Sequence, residues 1–184
     1  ACGDFSETTI QADIPIPGKH MVYNALAGAY IGHLFGLSPE EIETGIHSLQ
    51  PVTGRNHLIE TDTLMILDDC YNANPASMRA SLDVLALATG RRVAVMGDMK
   101  ELGENEEQLH FETGEYAARK GIDTIVCIGP LACQMYLGAK NLASGNTVLH
   151  YTGKKEFLHD LPSLFEAGDT VLVKASNSMK FSEI

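Results

Sequence analysis

The spacing of hydrophobic residues along this chain changes several times, and each change marks an element. Between residues 18 and 30 small and apolar side chains recur at near-helical intervals, which predicts a helix. Ser38-Pro39-Glu40-Glu41-Ile42 opens a second one, with Ser38 as N-cap, Pro39 in the first turn and early acids. Pro51-Val52-Thr53-Gly54 is turn-forming and predicts a domain boundary between residues 50 and 55, dividing the chain into 1–52 and 53–184. From there short apolar runs alternate with amphipathic stretches. Thr63–Leu67, Arg92–Met96, Thr124–Ile128, Thr147–His150 and Thr170–Lys174 read as strands, and Asn56–Glu60 as a short strand pairing with Leu64–Leu67. Helices are predicted over Pro75–Ala88, Glu106–Lys120, Leu131–Leu142 and Lys154–Leu161. In the first of these Met78, Leu82, Leu85 and Ala86 share a face, Asn74 is the N-cap and Pro75 suits the first helical position. Strands alternating with helices imply right-handed crossovers, and near-continuous apolar strands imply burial on both sides. The fold class expected is α/β, a Rossmann-like mostly parallel sheet with helices on both faces, preceded by a helical segment.

In such a sheet the carboxyl ends of the strands lie along one edge, where ligands bind. The residues there are Asp68-Asp69, the loop Gly97 to Gly103, Gly129-Pro130 and Lys174-Ala175-Ser176-Asn177. Acids, amides and a lysine therefore gather on one rim beside the N-terminus of a helix. A phosphoacceptor receiver would also place two acids after its first strand and a lysine after its last. Its middle strand needs an acceptor carboxylate, however, and Cys127-Ile128-Gly129-Pro130 supplies none. No GxGxxG follows any strand, which weakens a dinucleotide-binding reading.

Composition narrows the choice. The 184 residues are 45% hydrophobic, enough for a substantial core, and no apolar run is long enough to span a bilayer. Membrane insertion is therefore not expected, and a cytoplasmic location is the default. A formal charge of −11, from 13 basic against 24 acidic residues, argues against nucleic acid as a partner. Cys2, Cys70, Cys127 and Cys133 form no CxxC pair and read as reduced packing residues, with Cys70 nearest the rim. The seven histidines are scattered; Glu106, Glu107 and His110 on one helix read as a solvated face, so no metal site is expected in this chain.

Five strings, in order, carry a family resemblance: Gly18-Lys19-His20-x3-Asn24-Ala25-Leu26-Ala27, Gly54-Arg55, Asp68-Asp69-x-Tyr71-Asn72-Ala73-Asn74-Pro75-x-Ser77-Met78, Gly97-Asp98-Met99-x-Glu101-Leu102-Gly103 and Val173-Lys174-x-Ser176. Together they resemble the Mur ligase family over essentially the whole chain. The two longest strings resemble the member that joins D-alanyl-D-alanine to UDP-N-acetylmuramoyl-tripeptide in peptidoglycan precursor synthesis. The family's central domain carries a P-loop, and no GxxxxGK[ST] is present here. The resemblance thus implies that residues 1–52 are the tail of the central ATPase domain, that 53–184 are the C-terminal domain, and that the piece alone is inactive. The implied chemistry of the whole is activation of the tripeptide carboxylate by ATP to an acyl phosphate, then attack by the dipeptide amine. Mg2+ is held mainly by the part not in this chain, and a monomer is expected.

Carried over residue by residue, the resemblance makes Asn24 a contact to adenine, Arg55 to the nucleotide and Asp69 to the ribose hydroxyls. Asp68 points the other way along the strand. Asn72, Asn74, Ser77 and Ser176 are implied in dipeptide binding. Asp98 is expected to orient the incoming amine, and Lys174 to meet a carboxylate or the acyl phosphate. Met21 stands where relatives often have Asn, and Ala175 and Asn177 replace the Gly and Arg of the usual KGSR string.

Overall fold

The computed structural model describes residues 9–142 and 144–184. Cys2 and the rest of residues 1–8 lie outside that range. The chain divides into two compact units between Pro51 and Val52. In the first, α1 (Lys19–Leu34) begins after Gly18 and α2 (Pro39–His47) begins at the predicted Ser38 cap. Ser38 Oγ accepts the Glu41 N–H while the Glu41 carboxylate accepts the Ser38 N–H, a reciprocal capping box. Ala25 and Gly32 are the buried residues of α1, whereas Tyr23, Leu26, Ile31 and Leu34 are exposed.

The second unit runs β1 (His57–Glu60), β2 (Met65–Asp68), α3 (Pro75–Leu85), β3 (Arg92–Gly97), α4 (Glu106–Arg119), β4 (Thr124–Ile128), α5 (Ala132–Leu142), β5 (Thr147–Tyr151), α6 (Lys154–Leu164) and β6 (Thr170–Lys174). The sheet order is β1-β2-β6-β3-β4-β5, parallel throughout except for the antiparallel β1–β2 pair, where Leu58 faces Leu67. Helix α6 continues to Leu164, one turn past the predicted end, with Pro162 inside its final turn.

Alternation along the central strands sorts the core into two layers. Ala94, Met96, Ile125, Cys127 and Leu172 pack against Met78, Leu82 and Leu85 of α3, Ala117 of α4 and Met135 of α5. Val93, Val95, Val126, Ile128 and Val171 face the other way, onto Phe157 of α6 and Phe181 of the C-terminal turns. Helices thus cover both faces, as the apolar strands require. Among the described residues no helix is long and apolar enough to cross a membrane.

Candidate functional site

The strand register puts the expected edge together. Asp68 lies opposite Val173 and Met96 opposite Lys174, so the ends of β2, β6 and β3 are adjacent, and the Ser176 N–H donates to the Asp98 carbonyl at 3.1 Å. Asp69, Asn72, Asn74, Ser77, Asp98, Lys174 and Ser176 therefore share one rim of the second unit. Asn24 belongs to the first unit, where it is exposed on α1 with its amide 3.5 Å from Met21 Sδ.

At the centre lies a buried ion pair. Lys174 Nζ sits 2.5 Å from Asp69 Oδ2, 3.0 Å from the Asn72 carbonyl and 3.3 Å from the Asp69 carbonyl, and the lysine is only 2% exposed. Three acceptors match three ammonium hydrogens. Burial pulls the Lys174 pKa below its usual value, outweighing the attraction of Asp69, and the positive charge of Arg55 acts in the same direction. Asp69 also accepts the Asn56 N–H at 3.1 Å and the Ser81 hydroxyl at 2.5 Å. Asp68 turns both oxygens onto its surroundings, accepting from Gly54 N–H and from the Cys70 amide and thiol. Burial and this carboxylate push the Cys70 thiol up to about 12. The two acids thus bind the entry segment 54–56 to the end of β2.

Around this centre the side chains divide into those that build the rim and those that face outward. Asn74 Oδ1 accepts the Ser77 N–H at 2.8 Å and Ser77 Oγ accepts the Asn74 N–H at 3.1 Å, so both serve the N-terminus of α3. Ser176 Oγ accepts the Lys100 N–H at 2.7 Å and is itself 3% exposed. Asp98 is fully buried: Oδ1 accepts the Ala132 N–H that opens α5, and Oδ2 meets Lys100 Nζ at 2.8 Å. Gly129, at φ 121, permits this, since a Cβ there would overlap the Asp98 carboxylate. Outward-facing groups are the exposed Arg55, its guanidinium 3.9 Å above the Tyr71 ring, the half-exposed Tyr71, the Asn72 side chain and Lys100. Among the described residues no group of three His, Cys, Asp or Glu could hold a metal ion.

Residues 54–177 match the family described as Mur ligase, glutamate ligase domain. The chain belongs to the Mur ligase family. UDP-N-acetylmuramoyl-tripeptide--D-alanyl-D-alanine ligases of Bacillus subtilis and Escherichia coli are 39% and 37% identical to it, each over 93% of this chain. The chain spans less than two fifths of the length of these relatives, 38% and 37%. A crystal structure of MurF from Acinetobacter baumannii superposes with a TM-score of 0.83 at 32% identity, covering 94% of this chain and 38% of that one. MurF ligase from Thermotoga maritima, in complex with ADP, gives 0.76 at 27% identity over 91% of this chain and 37% of its own.

Within this Mur ligase fold several of the expected contact residues are engaged by other groups of the protein. Lys174 and Asp98, expected to meet the substrates, are buried, with their charged atoms on Asp69 and on Lys100 and α5 respectively. Asn74 and Ser77 are helix caps, and Ser176 is a loop fastener. Among the described residues the Asp69 carboxylate accepts from Asn56, Ser81 and Lys174, three contacts on roughly four lone-pair positions. His110, read as solvated, is fully buried. Lys100 and Asn177, whose side-chain amide donates to the Tyr71 carbonyl at 3.1 Å, stand on the same rim without a role assigned by the family strings. The signal for His110 was available, because Thr113, Gly114 and Ala117 follow it at helical intervals and are buried with it.

Proposed function

We propose that this chain forms the C-terminal part of an ATP-dependent ligase that adds D-alanyl-D-alanine to UDP-N-acetylmuramoyl-tripeptide. The observation that carries the reading is alignment of 93% of the chain with relatives bearing that name. Residues 1–52 then belong to the central ATPase domain, and the chain is inactive without the P-loop portion. The protein acts as a monomer in the cytoplasm, where ATP is available.

The γ-phosphoryl group of ATP passes to the tripeptide carboxylate; the dipeptide amine attacks that carbonyl, loses a proton, and expels phosphate to leave an amide. Mg2+, bound outside this chain, offsets phosphate charge during the transfer. The residues here contribute positioning and electrostatics. Arg55, held over the Tyr71 ring, is preorganised for a phosphate. Asp69 offers its remaining lone pair to a ribose hydroxyl, and Asn24 offers an amide to the adenine edge. Asn72 presents donor and acceptor to the dipeptide, its backbone fixed by Lys174 through the carbonyl. Asn74, Ser77 and Ser176 hold the walls of the same subsite.

The test is a ligation assay on the complete gene product that carries this chain. With ATP, Mg2+, the UDP-linked tripeptide and D-alanyl-D-alanine, mass spectrometry should find the pentapeptide product with one ADP released per ligation, and none when any component is omitted. A folded, ATP-hydrolysing protein that makes no such product overturns the reading.

A further inference from the structure

His110 lies outside every string that carries the family resemblance, yet it spends both ring nitrogens on the rim. Its Nε2 accepts the Met99 N–H at 2.9 Å, so that nitrogen carries no proton, and Nδ1, 2.6 Å from the Glu106 carbonyl, must donate. One neutral tautomer satisfies both contacts and ties the first turns of α4 to the loop after β3. The loop is fastened from two further directions, by Ser176 Oγ on the Lys100 N–H and by the buried Asp98 carboxylate on the Lys100 ammonium. Glu101 follows at φ 64, a left-handed conformation that costs a residue with a Cβ and persists where surroundings over-determine the backbone. The outcome is a lysine fixed at backbone and tip whose side chain remains 40% exposed. Among the described residues the Lys100 ammonium has one acceptor, Asp98, which leaves two hydrogens to offer.

We propose that His110 is a positioning residue: through the Met99 amide it fixes the loop that delivers the Lys100 ammonium to the carboxylate of the incoming dipeptide. The identity of the ligand rests on the function proposed above. Ligation consumes the amine end of the dipeptide, leaving its carboxylate as the charge to be read. An ammonium already ordered by the protein forms a charge-assisted bond without the entropy loss of ordering a free lysine.

The experiment compares H110L, H110Q, K100M and H110L/K100M in the intact ligase, at a temperature where each is folded. Gln can place an oxygen where Nε2 lies, and Leu cannot. K100M should raise the KM for D-alanyl-D-alanine roughly tenfold, the loss expected for a hydrogen bond to a charged group, with the KM for ATP unchanged. H110L should do the same, H110Q should restore most of the affinity, and the double variant should be no worse than K100M, because His110 acts through Lys100. Amide exchange at Met99 should quicken in H110L and not in H110Q. Multiplying effects in the double variant, a rise in the KM for ATP instead, or unaltered Met99 exchange in H110L would each overturn the proposal. A protein with no ligation activity at all would instead overturn the functional reading, while the exchange comparison still decides whether His110 positions the loop.

Discussion

Replacing Asp69 with alanine strips the Lys174 ammonium of its carboxylate while leaving it where water cannot reach. Lysine and aspartate are 2% and 12% exposed at their side chains, so the charge is barely screened. Removing one partner of such a pair costs about 3–5 kcal/mol. Two carbonyl oxygens remain on the ammonium, which favours the low end, but the Asn56 N–H also loses its acceptor, adding about 1–3 kcal/mol for an unpaired buried group. A loss of about 4 kcal/mol follows, a large share of the roughly 5–15 kcal/mol that holds a typical domain together. D69A/K174M, with both charges gone, should recover at least ~2 kcal/mol relative to the sum of the single variants. Because the chain has two units, the measurement is hydrogen exchange at amides of β6 and β3 rather than one global melt. The pH dependence has a definite sign. The Lys174 pKa is already lowered from 10.5 and falls further without Asp69, so the unfolded chain binds more protons between the lowered value and 10.5. Stability of D69A therefore rises with pH through that window. A D69A loss below ~1 kcal/mol, or strictly additive variants, would refute the account of Lys174 as a buried charge held by Asp69.

Alkylation of the native protein at pH 8 should spare Cys70, whose thiol is held up to about 12, and modify the partly exposed Cys133 before Cys70 and the buried Cys127; mass mapping of iodoacetamide adducts checks the order. Gly138 lies where α5 crosses α4 so closely that a Cβ would overlap the Phe111 carbonyl. Gly138→Ala must push the helices apart and should cost ~1–3 kcal/mol, read as a lower thermal midpoint, whereas Gly145→Ala, with nothing near its Cβ, pays only the strain of its positive φ.

The convergence of the strand ends was legible because it follows from chain order alone: parallel strands joined by right-handed crossovers must deliver residues 69, 98 and 174 to one edge. The caps at Ser38 and Asn74 were legible for a local reason, since each is set by residues within four positions. What could not be read was which polar groups face the ligand. Asp98 is turned inward by Gly129 and the first amide of α5, thirty-odd residues downstream, and Lys174 is turned inward by Asp69, more than a hundred residues upstream. Neither partner has a periodic signature. The buried charges have a consequence for how this rim recognises anything. A buried ammonium and a buried carboxylate, each already paired, do little for a ligand directly, but each holds a neighbour: Lys174 holds the Asn72 carbonyl, and Asp98 holds the Lys100 ammonium. On the proposed function, recognition falls to Asn72, Lys100 and the Arg55–Tyr71 stack, which are less buried. Substitutions at Asp98 should accordingly alter ligand affinity only through Lys100, so that Asp98→Asn in a protein already carrying K100M changes stability and leaves the KM for the dipeptide where K100M put it.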